Sequence, residues 1–147
     1  MENWPELELN KQQGENMCFG CSNINPFSLK LKFAWDPATK TAQAQFTPNE
    51  NFQGWSGYLH GGITSCALDE AMGWAAMSAG HQNVTARLQV RFRRMVPIGQ
   101  TYTVICKVTK QSSRLIETEA CLKDKNGEIL AEATSTQFVV RIHKDGQ

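Results

Sequence analysis

The chain has 147 residues, 41% of them hydrophobic and 20% charged, with a formal net charge of +1. That length and composition suit one globular domain with a real core and exclude a low-complexity polypeptide. A charge so near neutral gives no overall pull towards nucleic acid or anionic membrane, and no apolar run approaches the length of a membrane span.

In chain order, residues 1–16 are polar, lack a sustained period and are expected to form a tail before a core at 17–140 and a second tail at 141–147. One domain over 1–147 is therefore expected. Met1-Glu2-Asn3-Trp4-Pro5 lacks the basic and apolar regions of a signal peptide, so a cytoplasmic location is expected. Leu29, Leu31, Phe33 and Trp35 alternate with Lys30, Lys32 and Ala34, which predicts a strand ending in the turn Asp36-Pro37-Ala38-Thr39. A second strand is predicted over Thr41 to Phe46. Asn49 to Tyr58, rich in Asn, Gln, Gly and aromatic residues, is a loop leading to a helix that starts at His60 and stops near Gly80. Leu88, Val90 and Phe92 then alternate with Gln89, Arg91 and Arg93, placing the arginines on one strand face, until Met95-Val96-Pro97-Ile98-Gly99 breaks the pattern. Further strands are predicted over Tyr102 to Lys110, Leu115 to Lys123 and Ile129 to Val140, the last two joined by the hairpin signal Asp124-Lys125-Asn126-Gly127. About six strands and one long helix give an α+β fold, an antiparallel sheet covering a buried helix.

The stretch with the most chemistry is Leu59-His60-Gly61-Gly62-Ile63. Paired glycines let the backbone approach a ligand, and the first amides of a helix lack internal partners. Aided by the helix dipole, they can polarise a carbonyl oxygen. From Ile63 to Ala79 the only charged residues are Asp69 and Glu70. An acid on a helix that is apolar nearly all round is costly unless it is paired or used. Arg87, Arg91, Arg93 and Arg94 form a local basic cluster suited to a small anionic partner.

Five cysteines and no secretion signal argue against a disulfide framework. Cys66, Cys106 and Cys121 fall in the helix and strands, where a free thiol packs as a small core residue. The spacing Cys18-x-x-Cys21 could hold zinc, but a structural zinc site needs two further ligands, and no second pair or His-x-x-x-His follows. Packed thiols are the favoured reading, and no metal is expected.

With these residues in view, the chain resembles the hotdog-fold acyl-CoA thioesterases, in particular the phenylacetate-pathway-like (PaaI-like) branch. The resemblance covers roughly Met17 to Val140 and rests on four blocks in order. They are Cys18-Phe19-Gly20-Cys21-Ser22-Asn23-Ile24-Asn25-Pro26; Phe52-Gln53-Gly54 leading to His60-Gly61-Gly62-Ile63; Leu68-Asp69-Glu70-Ala71-Met72-Gly73; and Arg91-Phe92-Arg93 with Val96-Pro97-Ile98-Gly99. The resemblance implies a sheet of five to six strands wrapped around one long central helix. It also implies a homodimer joined edge to edge so that each site borrows residues from both chains, with a dimer of dimers as the next level. The implied activity is hydrolysis of an acyl-CoA thioester, without a cofactor.

Carried over residue by residue, the resemblance assigns the thioester oxygen to the Gly62 amide, with Gly61 allowing the close approach. Asp69, nine residues after His60, becomes the acid, acting as general base or as nucleophile. Glu70 is one position too far; it is expected to face water or a subunit partner and stands as the substitute acid. His60 shapes the loop. Thr85 falls where related enzymes carry a Ser or Thr near the acid of the other subunit. Gly54 departs from the family, which often has Asn or Gln there, and the adjacent Gln53 is the substitute. Phe52, Trp55 and Tyr58, with Trp74 and Met77, would line the acyl slot. Arg91, Arg93 and Arg94 would meet the coenzyme A phosphates. Two other classes stand beside this one: a hotdog protein that binds acyl-CoA without turnover, and a small zinc module using Cys18 and Cys21.

Overall fold

A computed structural model describes residues 16–80 and 82–140. Among these, six strands form one antiparallel sheet, β1 (Ala34–Asp36), β2 (Thr41–Phe46), β3 (Asn83–Phe92), β4 (Tyr102–Gln111), β5 (Leu115–Lys123) and β6 (Ile129–Val139). The sheet order is β1-β2-β4-β5-β6-β3. One helix, α1 (Gly61–Ser78), packs against every strand from β2 to β6. The predicted α+β architecture is therefore the one observed. No helix among the described residues is long and apolar enough to cross a membrane.

The local chemistry explains the connections. Asp124 Oδ1 accepts from the amides of Asn126 and Glu128, and Gly127, at φ +81°, completes the tight turn between β5 and β6. Only glycine adopts that left-handed backbone at little cost. At the first turn, Asp36 takes the Ala38 amide and the Thr39 hydroxyl, the side-chain mimicry of a backbone turn that favours Asp there. The helix stops as expected: Ala79 caps it, and Gly80 at φ +107° turns its amide onto Met77.

The first strand departs from expectation. Leu29, Leu31 and Phe33 are buried while Lys30 and Lys32 are exposed, so the alternation is real. The ladder is not, because Leu29 and Leu31 donate to the carbonyls of Phe19 and Gly20, and Lys30 sits at φ +54°. Residues 29–33 thus strap the Cys18–Cys21 loop to the core, and β1 begins only at Ala34.

Helix α1 is lined with small residues: Ala67, Ala71, Ala75 and Ala76 are fully buried beside Leu68 and Met72. Short side chains let the curved sheet close around most of its circumference. Strand β3 lies at the sheet edge, and its residues are exposed along nearly its whole length, including Val84, Leu88 and Phe92.

Candidate active site

The beginning of α1 is fastened before it can act. His60 is the N-cap, and its Nδ1 accepts from the Gly62 amide at 2.8 Å. The motif histidine therefore has an orienting role in the structure. The Gly62 N–H, expected to meet a carbonyl, is held by the His60 ring, whereas the amides of Gly61 and Ile63 have no intramolecular partner among the described residues. The preceding loop is tied from both sides: His60 donates to the Phe52 carbonyl, Leu59 to Val96, and Tyr58 bridges Pro97.

Gln53 and Gly54 serve this loop. The Gln53 amide spans it, donating to the Glu50 carbonyl at 2.7 Å and accepting from Gly57 at 2.6 Å. Its polar atoms are thus spent on the turn. A Cβ at Gly54 would stand 3.2 Å from His60 Cα, so glycine here lets the loop lie against the helix start. Phe52 packs on the core rather than into an opening.

A cleft of about 840 Å³ opens at the beginning of α1. It is lined by Gly54, Trp55, Tyr58, His60, Gly61, Arg93 and Arg94 from the sequence-derived set, along with Thr64, Phe92 and Met95. Trp55 is 82% exposed, an apolar plate at the rim. Phe92 and Met95 were not singled out by the sequence, although their strand-end position beside the arginines was. Trp74, expected to help line an acyl slot, is instead core, stacked on Phe33 with ring centroids 6.3 Å apart. Met77 likewise packs on the core.

Asp69 lies farther along α1, half-buried, and its Oδ1 accepts from the Thr85 hydroxyl at 2.7 Å. Behind Thr85 runs a polar chain that crosses the sheet. Gln137 Oε1 is 3.1 Å from that hydroxyl, Gln137 Nε2 donates to Ser135 at 2.8 Å, and Ser135 meets Thr118 at 2.6 Å. Gln137, Ser135 and Thr118 are buried. Polar side chains at the inward positions of β5 and β6, where alternation assigns the core, are the sequence signal that would have found them.

Asp69 and Gly62 sit seven residues apart on the same helix. At 1.5 Å per residue that is about 10 Å, nearly two whole turns, so both look out from one side of α1 without approaching each other. A carbonyl and its attacking water need partners within roughly 3–3.5 Å. Asp69 and the Gly62 amide of one chain are therefore too far apart to meet a single carbonyl and its water together. Thr85 meets Asp69 of its own chain.

The three arginines divide. Arg93 pairs with Glu132 at 2.6 Å and Arg94 with Glu128 at 2.7 Å. The Arg93 hydrogen bond also holds the Glu132 carboxyl below its usual range. Both residues lie past the end of β3, where their amides share the Leu130 carbonyl. Arg91 lines a different depression, about 650 Å³ on the outer face of the sheet, with Lys107, Glu119 and Glu132. The single arginine face predicted from alternation is thus broken where the strand ends.

A second polar cluster lies on another side of the helix. Glu70 is half-buried, with its carboxylate 3.4 and 3.5 Å from Cys18 Sγ, and Oε1 accepts from the Trp74 indole at 3.0 Å. Burial, then the Glu70 hydrogen bond and charge, push the Cys21 thiol well above its ordinary value. Glu70, expected to face water or another subunit, instead faces the cysteine pair.

Comparison with known proteins agrees with this architecture. The family model described as "Thioesterase superfamily" matches residues 56–131. The human acyl-coenzyme A thioesterase THEM5 is 25% identical over 93 residues, which are 63% of this chain and 38% of that protein. The putative esterase SSO2140 of Saccharolobus solfataricus is 32% identical over 94 residues, 63% of this chain and 66% of the other. The chain thus spans well under half of the human relative and about two thirds of the archaeal one. Among solved structures, the E. coli PaaI protein from the phenylacetic acid degradation operon superposes with a TM-score of 0.71 at 18% identity, covering 77% of this chain and 81% of that one. At that identity the likeness is one of fold, the hotdog arrangement of sheet around helix.

Proposed function

Because this chain belongs to the thioesterase superfamily, we propose that it hydrolyses an acyl-CoA thioester to a carboxylic acid and free coenzyme A, as a homodimer whose sites are shared. The observation that carries this reading is the placing of Asp69: a half-buried acid on a helix whose other charged residue is Glu70, bonded to Thr85, about two turns beyond a helix start with free amides. In this scheme Asp69 of one protomer activates water or attacks the carbonyl itself, while the helix start of its partner polarises the thioester oxygen. The donor there is Gly62, once the His60 ring yields its amide, together with the free amide of Gly61. The substrate chain enters by the cleft at Trp55, Tyr58 and Phe92. Arg93 and Arg94, though paired with glutamates, retain further N–H donors for phosphate at its rim.

Support for pairing comes from β3. An exposed ten-residue edge strand bearing Val84, Leu88 and Phe92 is the kind of edge that folded proteins cover. A second copy laid along it would bring the acid half of one site to the amide half of the other, by a two-fold axis.

A panel of acyl-CoA esters, assayed by chromatographic release of coenzyme A, tests the proposal on wild type and Asp69→Asn. The variant should keep the fold and lose turnover by about a thousandfold or more, as for removal of a base or nucleophile. Equal rates would remove Asp69 from the mechanism. One observation favours a second reading, binding without turnover: the His60 ring occupies the Gly62 amide. Tight acyl-CoA binding with no hydrolysis of any ester in the panel would establish that reading instead.

A further inference from the structure

We propose that Cys18, Cys21 and Glu70 form a binding site for a divalent ion of the zinc class, with two sulfur ligands and one carboxylate. The inference is independent of the acyl-CoA chemistry. It begins from geometry: one ligand atom from each of the three residues lies within 4.8 Å of the other two. Around tetrahedral zinc, with Zn–S about 2.3 Å and Zn–O about 2.0–2.2 Å, neighbouring ligand atoms stand roughly 3.5–3.8 Å apart. The Cys18 sulfur is already 3.4 and 3.5 Å from the two Glu70 oxygens. Only a small closure of the remaining distances is needed to admit the ion.

The surroundings are those of a ligand set rather than of two packed thiols. Each sulfur has an N–H aimed at it, from the Gly20 backbone to Cys18 at 3.3 Å and from Asn16 Nδ2 to Cys21 at 3.6 Å. Donors at sulfur are the outer-shell contacts that hold a coordinating thiolate. The carboxylate has its own orienting donor, since Trp74 Nε1 binds Oε1 while both oxygens stay within 3.5 Å of the Cys18 sulfur. Glu70 has no cationic partner among the described residues, whose two ion pairs lie elsewhere. Gly20 makes the approach possible, because a Cβ there would stand 2.5 Å from Glu70 Cδ.

On binding, the two thiols release their protons to solvent, and two thiolates with one carboxylate surround the dication. Three protein ligands leave a fourth position to water or a small anion. The ion would clamp the 18–21 loop to α1 at the residue next to Asp69.

The full chain, purified under reducing conditions without chelator, is assayed for metal by mass spectrometry, and the metal-free protein is titrated with Co²⁺. The expected result is about one equivalent per chain, with a thiolate-to-cobalt charge-transfer band and the intensified visible bands of tetrahedral coordination. Cys18→Ser and Cys21→Ser should each weaken the charge-transfer band. Glu70→Gln, which removes a ligand, and Gly20→Ala, which keeps all three but drives a methyl at the carboxylate, should weaken Co²⁺ by about tenfold or more. Wild-type protein with no such band overturns the proposal whatever the variants do. So does a Cys18–Cys21 disulfide in the protein as isolated, or a Glu70→Gln protein that binds like wild type.

Discussion

Thr85 Oγ1 lies 2.7 Å from Asp69 Oδ1, and the hydroxyl that makes this contact is also 3.1 Å from Gln137 Oε1. The hydroxyl has one proton, and the shorter distance gives it to the carboxylate. A hydrogen bond to a charged group contributes about 1.5–3 kcal/mol, so Thr85→Val, which keeps the shape, should lower kcat by roughly 10- to 150-fold. KM should change little, because the bond orients the acid rather than the substrate. Steady-state kinetics on the best ester of the panel supply the check; an unchanged kcat would show that Thr85 plays no part in turnover.

Gln137 is fully buried and joins the site to Ser135 and Thr118. Gln137→Leu fits the volume but removes a donor from Ser135 and a neighbour from Thr85. An unsatisfied buried polar group costs about 1–3 kcal/mol. Urea unfolding should register that loss, and kcat should fall towards the Thr85→Val value. A variant as stable and as active as wild type would mean that the polar chain behind Thr85 is incidental.

His60 stabilises α1 by accepting from Gly62. Losing an N-cap side chain costs about 1 kcal/mol, whereas Asn is among the best caps. His60→Ala should therefore lower the unfolding free energy by about that amount, with His60→Asn within a few tenths of wild type. If the two variants unfold alike, the ring contributes through packing instead.

The proposed sharing of sites between protomers has a distinctive mixing result. Asp69→Asn and Gly61→Val, the second placing a side chain against the Phe92 ring, should each be inactive alone. Co-refolded in equal amounts, half of the dimers are mixed and each holds one intact site, so about a quarter of wild-type activity should return. No recovery, with mixed dimers demonstrated by mass, would place both halves of the site in one chain.

Cys66 gives a pH test. Burial first, then the charges of Glu70 and Asp69, push its thiol up to about 11. Alkylation needs the thiolate, which at pH 8 is then about 100-fold scarcer than for a thiol at its ordinary value of about 9. Labelling of Cys66 should be correspondingly slow at pH 8 and accelerate about 100-fold by pH 10, followed by peptide mass spectrometry. Rapid labelling at pH 8 would show that α1 opens to solvent there.

How much of this was legible in the sequence depends on distance along the chain. The limits of α1 and the β5–β6 turn were readable because their causes are local: His60 and Gly80 sit at the helix ends, and Asp124 takes amides two and four residues on. The alternation of residues 29–33 gave the right faces but the wrong partner, since nothing in that stretch announces that Leu29 and Leu31 bond to the 18–21 loop. The shared strand face of the arginines breaks at the point where β3 ends and the backbone turns onto Leu130. Most opaque was Glu70, whose neighbours are a cysteine 52 residues earlier and an indole four residues later. The sequence offers Cys18 and Cys21 no second cysteine pair or histidine pair, and the group that faces them is a carboxylate.

The small residues of α1 limit how this scaffold can diversify. Ala67, Ala71, Ala75 and Ala76 are fully buried, so enlarging any of them strains a close-packed interior. Under the proposed reaction, room for a longer or bulkier acyl tail is to be found instead at the rim formed by Trp55, Tyr58, Phe92 and Met95. Changes at that exposed mouth can reshape it at little cost to the interior.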